Sequence, residues 1–335
     1  MKRTMAMYQQ LGQLFIIGFP GGTPDKAFLN FIAEEQIGGV ILFADNCGTH
    51  LIARQNIETI RSCYHTHPPF IAIDQEGGRV SRLKGAPVEY RSALAYGKSG
   101  DIEHFVEEYS RAAVYMEALG INMNLAPVAD IQIDPENSCI ADRSFGTTPE
   151  LVAKFVAASV TTSMNHGLIS CLKHFPGFGA ARNDPHQQTA IADYDMYLWE
   201  QRERIPFVAG IEAGADMIMT THMRIPKLDG QIVTASSRIL QGMVRGGLGF
   251  DGPIITDDLC MGGATELGDP GERTVAAFNA GHDILLFGQN TDASMQAFDY
   301  FVDACKRGEI DPDRIRASLD RVAGLKFKLG RSALS

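Results

Sequence analysis

The sequence predicts an α/β fold of the (β/α)8 TIM-barrel type, formed as a single domain over residues 1–335, and three observations predict it. Eight short, almost wholly apolar runs punctuate the chain, and a longer amphipathic segment follows each of them. No composition break, low-complexity tract or linker divides the series. The longest irregular stretches, 75–101, 128–147, 175–197 and 224–235, each come directly after an apolar run, where such barrels build their active sites.

The apolar runs lie at 13–19, 39–43, 70–74, 122–127, 169–174, 217–221, 253–256 and 283–287. They do not alternate apolar with polar, so both faces are expected to be buried, as in a parallel sheet. Helices are expected near 25–36, 50–64, 102–119, 149–166, 198–213, 236–247, 271–280 and 292–306, and a last one near 312–328 closes the chain. Thr148 before Pro149, and Asp311 before Pro312, read as N-caps with proline at the first helical position. The competing architecture is an open doubly wound sheet. That fold carries G-x-G-x-x-G after its first strand, and Gly18-Phe19-Pro20-Gly21-Gly22 lacks the spacing.

The bulk properties suit a soluble enzyme. Of 335 residues, 45% are hydrophobic and 21% charged, which supports a large core. The net charge is −10 and no block of Lys and Arg occurs, which argues against nucleic acid or an anionic membrane as partner. Cys47, Cys63, Cys139, Cys171, Cys260 and Cys305 show no CxxC spacing, so zinc and redox motifs are absent. No signal peptide and no membrane-spanning run is recognisable, so the cytoplasm is the expected location. A monomer without metal or organic cofactor is expected.

The loops after the runs hold the candidate chemistry. Asp74-Gln75-Glu76-Gly77-Gly78-Arg79-Val80-Ser81-Arg82 follows the third. Asp74 there either accepts hydrogen bonds from substrate hydroxyls or braces the loop through an arginine. After the fourth come Asp130 and Asp142-Arg143-Ser144-Phe145-Gly146, where Arg143 either binds a substrate oxygen or pins Asp142. After the fifth come Lys173-His174-Phe175-Pro176-Gly177-Phe178-Gly179 and then Asp184-Pro185-His186. A buried Lys173 needs a partner, or a ligand, to offset its desolvation. Asp184 can hydrogen-bond His186, raise its pKa and hold one tautomer. His222, after the sixth run, reads as a structural hydrogen-bonder. Thr256-Asp257-Asp258-Leu259-Cys260-Met261 follows the seventh. Adjacent carboxylates at a buried strand end repel, so one can point into the site while the other contacts backbone or a neighbouring strand. A metal pair there is the weaker reading, since no HxH or HExxH accompanies it.

Four of these segments together carry a resemblance. Asp74–Val80, Arg143–Gly146, Lys173–Gly179 with its later Asp-x-His, and Thr256-Asp257-Asp258-Leu259-x-Met261 resemble the bacterial β-N-acetylglucosaminidases of glycoside hydrolase family 3, the single-domain type used in peptidoglycan recycling. The resemblance covers nearly the whole chain. It implies that Asp257 is the nucleophile, that His186 is the acid/base and that Asp184 orients His186. It also implies that Asp74, Arg82, Arg143, Lys173 and His174 hold the sugar of a GlcNAc-containing glycan or muropeptide. Two positions depart from the family pattern: Phe178 stands where it has His, and Pro185 where it has Ser. The alternatives are a phosphorylase or transglycosylase with the same dyad, and a catalytically impaired sugar-binding protein.

Overall fold

The computed structural model of the chain describes residues 7–65, 67–85, 89–182 and 189–332. Eight parallel strands form the central sheet: β1 Phe15–Ile17, β2 Gly39–Leu42, β3 Phe70–Ile73, β4 Met123–Asn124, β5 Ile169–Phe175, β6 Met217–Thr220, β7 Ile254–Ile255 and β8 Leu285–Phe287. Their order is β7-β6-β5-β4-β3-β2-β1-β8. A parallel bridge between Ile255 and Ile284 joins the two ends, with Thr256 N donating to Ile284 O at 3.1 Å. The sheet is thereby nearly closed into a barrel, with the helices around it. Every residue of these strands is buried, as their unbroken apolar character predicts.

The helices follow the strands in turn: α1 Lys26–Glu34, α2 His50–Ser62, α3 Ile102–Leu119, α4 Pro149–Asn165, α5 Arg204–Glu212, α6 Arg238–Gly247, which is wound as a π-helix, α7 Pro270–Ala280, α8 Thr291–Arg307 and the terminal α9 Pro312–Ser332. Their apolar faces pack on the barrel. Phe15 of β1, for example, meets Phe298 and Phe301 of α8 edge-on at 5.4 and 5.5 Å, and each such buried ring contributes roughly 1.5–3 kcal/mol. Capping fixes several starts: Asp25 accepts from Phe28 N, and Asp269 forms a reciprocal capping box with Glu272.

Three features differ from the sequence expectation. The single helix expected over 198–213 is two, Met196–Gln201 and α5, broken at Arg202 and Glu203. Pro206 falls in the first turn of α5, where no amide donor is required. Short helices at Ala44–Cys47 and Ala93–Ser99 lie inside connections. A second, four-stranded sheet is built from Ala181–Arg182, Ala190–Ala192, Met223–Ile225 and Asp229–Ile232, all in the connections after β5 and β6. Its two- to four-residue strands are too short to show a period of their own in the sequence.

Candidate active site at the barrel mouth

The loop after β3 is held by the residue between its two carboxylates. Gln75 is buried: its Nε2 donates to Ser81 Oγ at 2.8 Å, and its Oε1 accepts from Arg82 N and Leu83 N at 2.9 and 3.2 Å. Its backbone pairs with the Asn124 side chain. Strand alternation then puts Asp74 and Glu76 together on the opposite side, facing the barrel mouth. The turn that follows needs glycine. Gly77 has φ +86°, and a Cβ on it would lie 2.5 Å from the Arg91 carbonyl.

Between these carboxylates sits Lys173, 2% exposed, at the end of β5. Its Nζ donates to Asp74 Oδ1 at 2.6 Å and lies 2.6 Å from Glu76 Oε1. Arg143 grips Glu76 in a bidentate pair through one edge of its guanidinium, Nε and Nη2, at 2.7 and 2.8 Å. Arg82 approaches Asp74 at 3.7 Å. Burial alone would protonate Glu76, but Arg143 and Lys173 outweigh it and hold the carboxyl far below the usual range. Burial likewise works against the Lys173 ammonium, and Asp74 and Glu76 reverse the effect, raising its pKa. Three cations thus face two carboxylates on this wall of the cavity.

His174 continues the network. It is joined to Lys173 by a cis peptide. Its Nδ1 lies 2.6 Å from Asp130 Oδ2, and its Nε2 lies 3.2 Å from Arg143 Nη2. A guanidinium only donates, so Nε2 accepts and Nδ1–H points to Asp130. Asp130, fully buried, also accepts from His174 N and Phe178 N at 3.2 and 2.5 Å, tying the imidazole to the segment beyond it.

Across the cavity, the two aspartates after β7 are divided. Asp258 Oδ1 accepts from Cys260 N and Gly288 N, both at 2.8 Å, so this side chain staples β7 to β8. Burial raises its pKa. Asp257 accepts from Asp258 N at 2.8 Å and remains partly exposed to the cavity. Burial would raise its pKa as well, but His174, His222, the Asp258 amide and Lys173 together bring it below its ordinary value. His222 is itself buried, which lowers its pKa. Its Nε2–H donates to Asp258 O at 2.9 Å and its Nδ1 lies 2.7 Å from Thr234 Oγ1, so it braces the aspartate pair from behind.

These groups line one cavity of about 390 Å³, a size suited to a small ligand. Asp74, Arg82, Arg143, Lys173, His174 and Asp257 all face it, together with Phe178 and apolar walls at Ile41, Leu125, Met219 and Leu286. Asp184 and His186 lie outside the described residues. Sequence reasoning assigns Glu76 no role; its one signal is its place two residues from Asp74 on one strand face. Asp130 stood out only as a carboxylate after β4. Arg143 does not pin Asp142, whose partner is Arg79 at 2.6 Å.

Under the segment after β5 lies Glu203, 1% exposed. Both contacting nitrogens of Arg202 reach its Oε1, at 2.8 and 2.5 Å, while the buried Oε2 has no hydrogen-bond partner among the described residues. Burial pushes its pKa up to about 7 against the pull of Arg202. A carboxyl raised on folding binds more protons in the native state, so stability falls as pH rises from the unfolded value of 4.5 through about 7. Glu203→Gln is therefore expected to stabilise the protein at pH 8 and to be near neutral at pH 4.5. Urea denaturation at the two pH values checks this; an equal effect at both removes the assignment.

Fold and site define a (β/α)8-barrel protein with a charged, hydrogen-bond-rich small-molecule cavity at the C-terminal ends of its strands. Residues 6–325 match the family described as Glycosyl hydrolase family 3 N terminal domain, and the chain belongs to that family. It is 33% identical over 332 residues to the Beta-hexosaminidase A of Pseudoalteromonas piscicida, covering 91% of this chain and 55% of the relative. It is 34% identical over 331 residues to an uncharacterized secreted glycosyl hydrolase of Arthroderma benhamiae, covering 96% of this chain and 93% of the relative. The solved glycoside hydrolase family 3 beta-N-acetylglucosaminidase from Paenibacillus sp. superposes with a TM-score of 0.93 at 32% identity, covering 96% of this chain and 62% of that one. This chain therefore spans about half the length of the first of these relatives and under two thirds of the last.

Proposed function

We propose that this chain is a retaining exo-β-N-acetylglucosaminidase that removes terminal β-linked GlcNAc, with peptidoglycan fragments as its substrates. The observation that carries the reading is Asp257: a carboxylate open to the cavity, at a strand end, kept ionised by its surroundings. Its oxygen attacks the anomeric carbon as the bond to the aglycone oxygen breaks, giving a glycosyl ester. His186, protonated, donates its proton to the departing oxygen, and the neutral imidazole then takes a proton from water as the water oxygen displaces Asp257. Asp184 orients and tunes His186. Asp74, Arg82, Arg143, Lys173 and His174 hold the sugar; Glu76 and Asp130 keep the last three in place.

The chain acts as one catalytic unit, a monomer in the cytoplasm, with no metal or organic cofactor. The hexosaminidase and acetylglucosaminidase relatives support the activity. No helix among the described residues is long and apolar enough to cross a membrane. Release of p-nitrophenol from its β-GlcNAc and β-glucoside derivatives, with and without phosphate, tests the reading. Turnover of the GlcNAc derivative alone, unaffected by phosphate, is expected. Phosphate stimulation with sugar 1-phosphate as product would make the enzyme a phosphorylase, and tight GlcNAc binding without turnover would make it a sugar-binding protein.

His186→Ala is expected to slow hydrolysis most where the leaving group is poor, since an activated phenolate departs without a proton. The check is kcat/KM across a series of aryl β-GlcNAc derivatives; equal losses along the series would remove His186 from the acid role.

A further inference from the structure

Two strands of the second sheet lie on either side of residues 183–189 in the sequence. Ala181–Arg182 and Ala190–Ala192 pair antiparallel, with Ala181 opposite Ala192 and Arg182 opposite Ile191. By sequence, the connection between them contains Asp184 and His186. Its incoming side is tied to the barrel: Asn137 Nδ2 donates to Phe178 O at 2.9 Å, Asp134 N donates to Gly179 O at 3.0 Å, and Gly179 lies hard against Ile131. The outgoing side is tied differently. Thr189 Oγ1 donates to Glu266 Oε2 at 2.7 Å and lies 3.2 Å from Gly263 O. Glu266 Oε1 in turn accepts from Arg224 Nη2 at 2.6 Å, and Arg224 stands opposite Ile191 on the neighbouring strand. Gly263 and Glu266 belong to the short helix Gly262–Leu267, which follows the aspartate pair in the same connection after β7.

We infer that Thr189, Glu266 and Arg224 form a clamp that sets the distance between the connection bearing His186 and the segment bearing Asp257, and that all three are positioning residues for the acid/base step. The physical need is plain. Proton donor and nucleophile come from different strands of the barrel, and a displacement of 1 Å between reacting groups costs on the order of 100-fold in rate. Glu266 is suited to the task because its two oxygens serve two different elements at once. Its contacts are partly exposed to solvent, with Arg224 and Glu266 side chains 39% and 28% exposed, so they add little to global stability. A role in stability alone therefore does not account for the arrangement.

The inference rests on His186 being the acid/base. Its test compares Thr189→Val, Thr189→Ser, Glu266→Gln and His186→Ala on two β-GlcNAc substrates, one with a 2,4-dinitrophenyl and one with an alkyl aglycone. Thr189→Val and Glu266→Gln are expected to lower kcat/KM, which covers the steps up to the glycosyl-enzyme, on the alkyl substrate by on the order of 10-fold to 100-fold. They are expected to leave kcat/KM on the dinitrophenyl substrate and the melting temperature nearly unchanged, with Thr189→Ser restoring the alkyl value. Selective loss in His186→Ala without it in Thr189→Val and Glu266→Gln overturns the clamp alone. No selectivity in His186→Ala overturns the acid/base assignment, and the clamp with it.

Discussion

Asp257→Ala is expected to lower turnover of a β-linked N-acetylglucosaminide by roughly 10⁴-fold or more, the scale seen when a covalent nucleophile is removed. The cavity should still bind the sugar. The cradle of Asp74, Lys173, Glu76 and Arg143 is built from the ends of β3 and β5 and the loop after β4, and it makes its own ion pairs without Asp257. The split is the informative part: kcat collapses while GlcNAc affinity persists. Asp258→Ala behaves otherwise, because Asp258 holds Cys260 N and Gly288 N; it is expected to loosen the β7–β8 junction and lower stability. Steady-state kinetics with GlcNAc titration by calorimetry separates the two. Comparable turnover in wild type and Asp257→Ala would remove the nucleophile from the scheme.

The largest stability effect is expected at Asp283, on the chain just before β8. It is fully buried and gathers three arginines. Oδ2 accepts from Arg245 Nη2 at 2.6 Å and Ile254 N at 3.0 Å. Oδ1 accepts from Ser318 Oγ at 2.7 Å, Arg314 Nη1 at 3.1 Å and Arg321 Nη1 at 3.3 Å. One carboxylate thus fastens α6 and α9 to the β7–β8 closure of the barrel. Alanine there leaves three guanidiniums facing one another around an uncompensated site, and breaking a buried pair from one side costs ~3–5 kcal/mol. A matching drop in the urea midpoint with an unchanged slope is the expected result. A change under about 1 kcal/mol would mean that the arginines find water readily and the closure does not depend on them.

Much of this architecture is legible in the sequence. Buried parallel strands write themselves as unbroken apolar runs, so all eight barrel strands, and seven of the eight helices that follow them, are readable within a few residues of their ends; the helix expected over 198–213 is two. The charged cradle was half legible. Asp74, Arg82, Arg143, Lys173 and His174 were singled out, but their partnerships were not, because ion pairs such as Lys173–Glu76 join residues far apart in sequence. Glu76 was passed over since Asp74 offered the same chemistry two residues earlier. Asp130 was indistinct because nothing local shows that it is fully buried against His174. The second sheet was invisible, its strands shorter than any periodicity can register, and with it the Thr189–Glu266 contact.

The most direct test of the central claim is the anomeric configuration of the first sugar released. An aryl β-GlcNAc substrate is hydrolysed in an NMR tube, and the anomeric proton is followed before mutarotation sets in. A covalent intermediate on Asp257 inverts the centre twice, so β-GlcNAc is expected to appear first and to convert slowly to the α anomer. First appearance of the α anomer would require a single displacement by water, and Asp257 would then have to be recast as a general base.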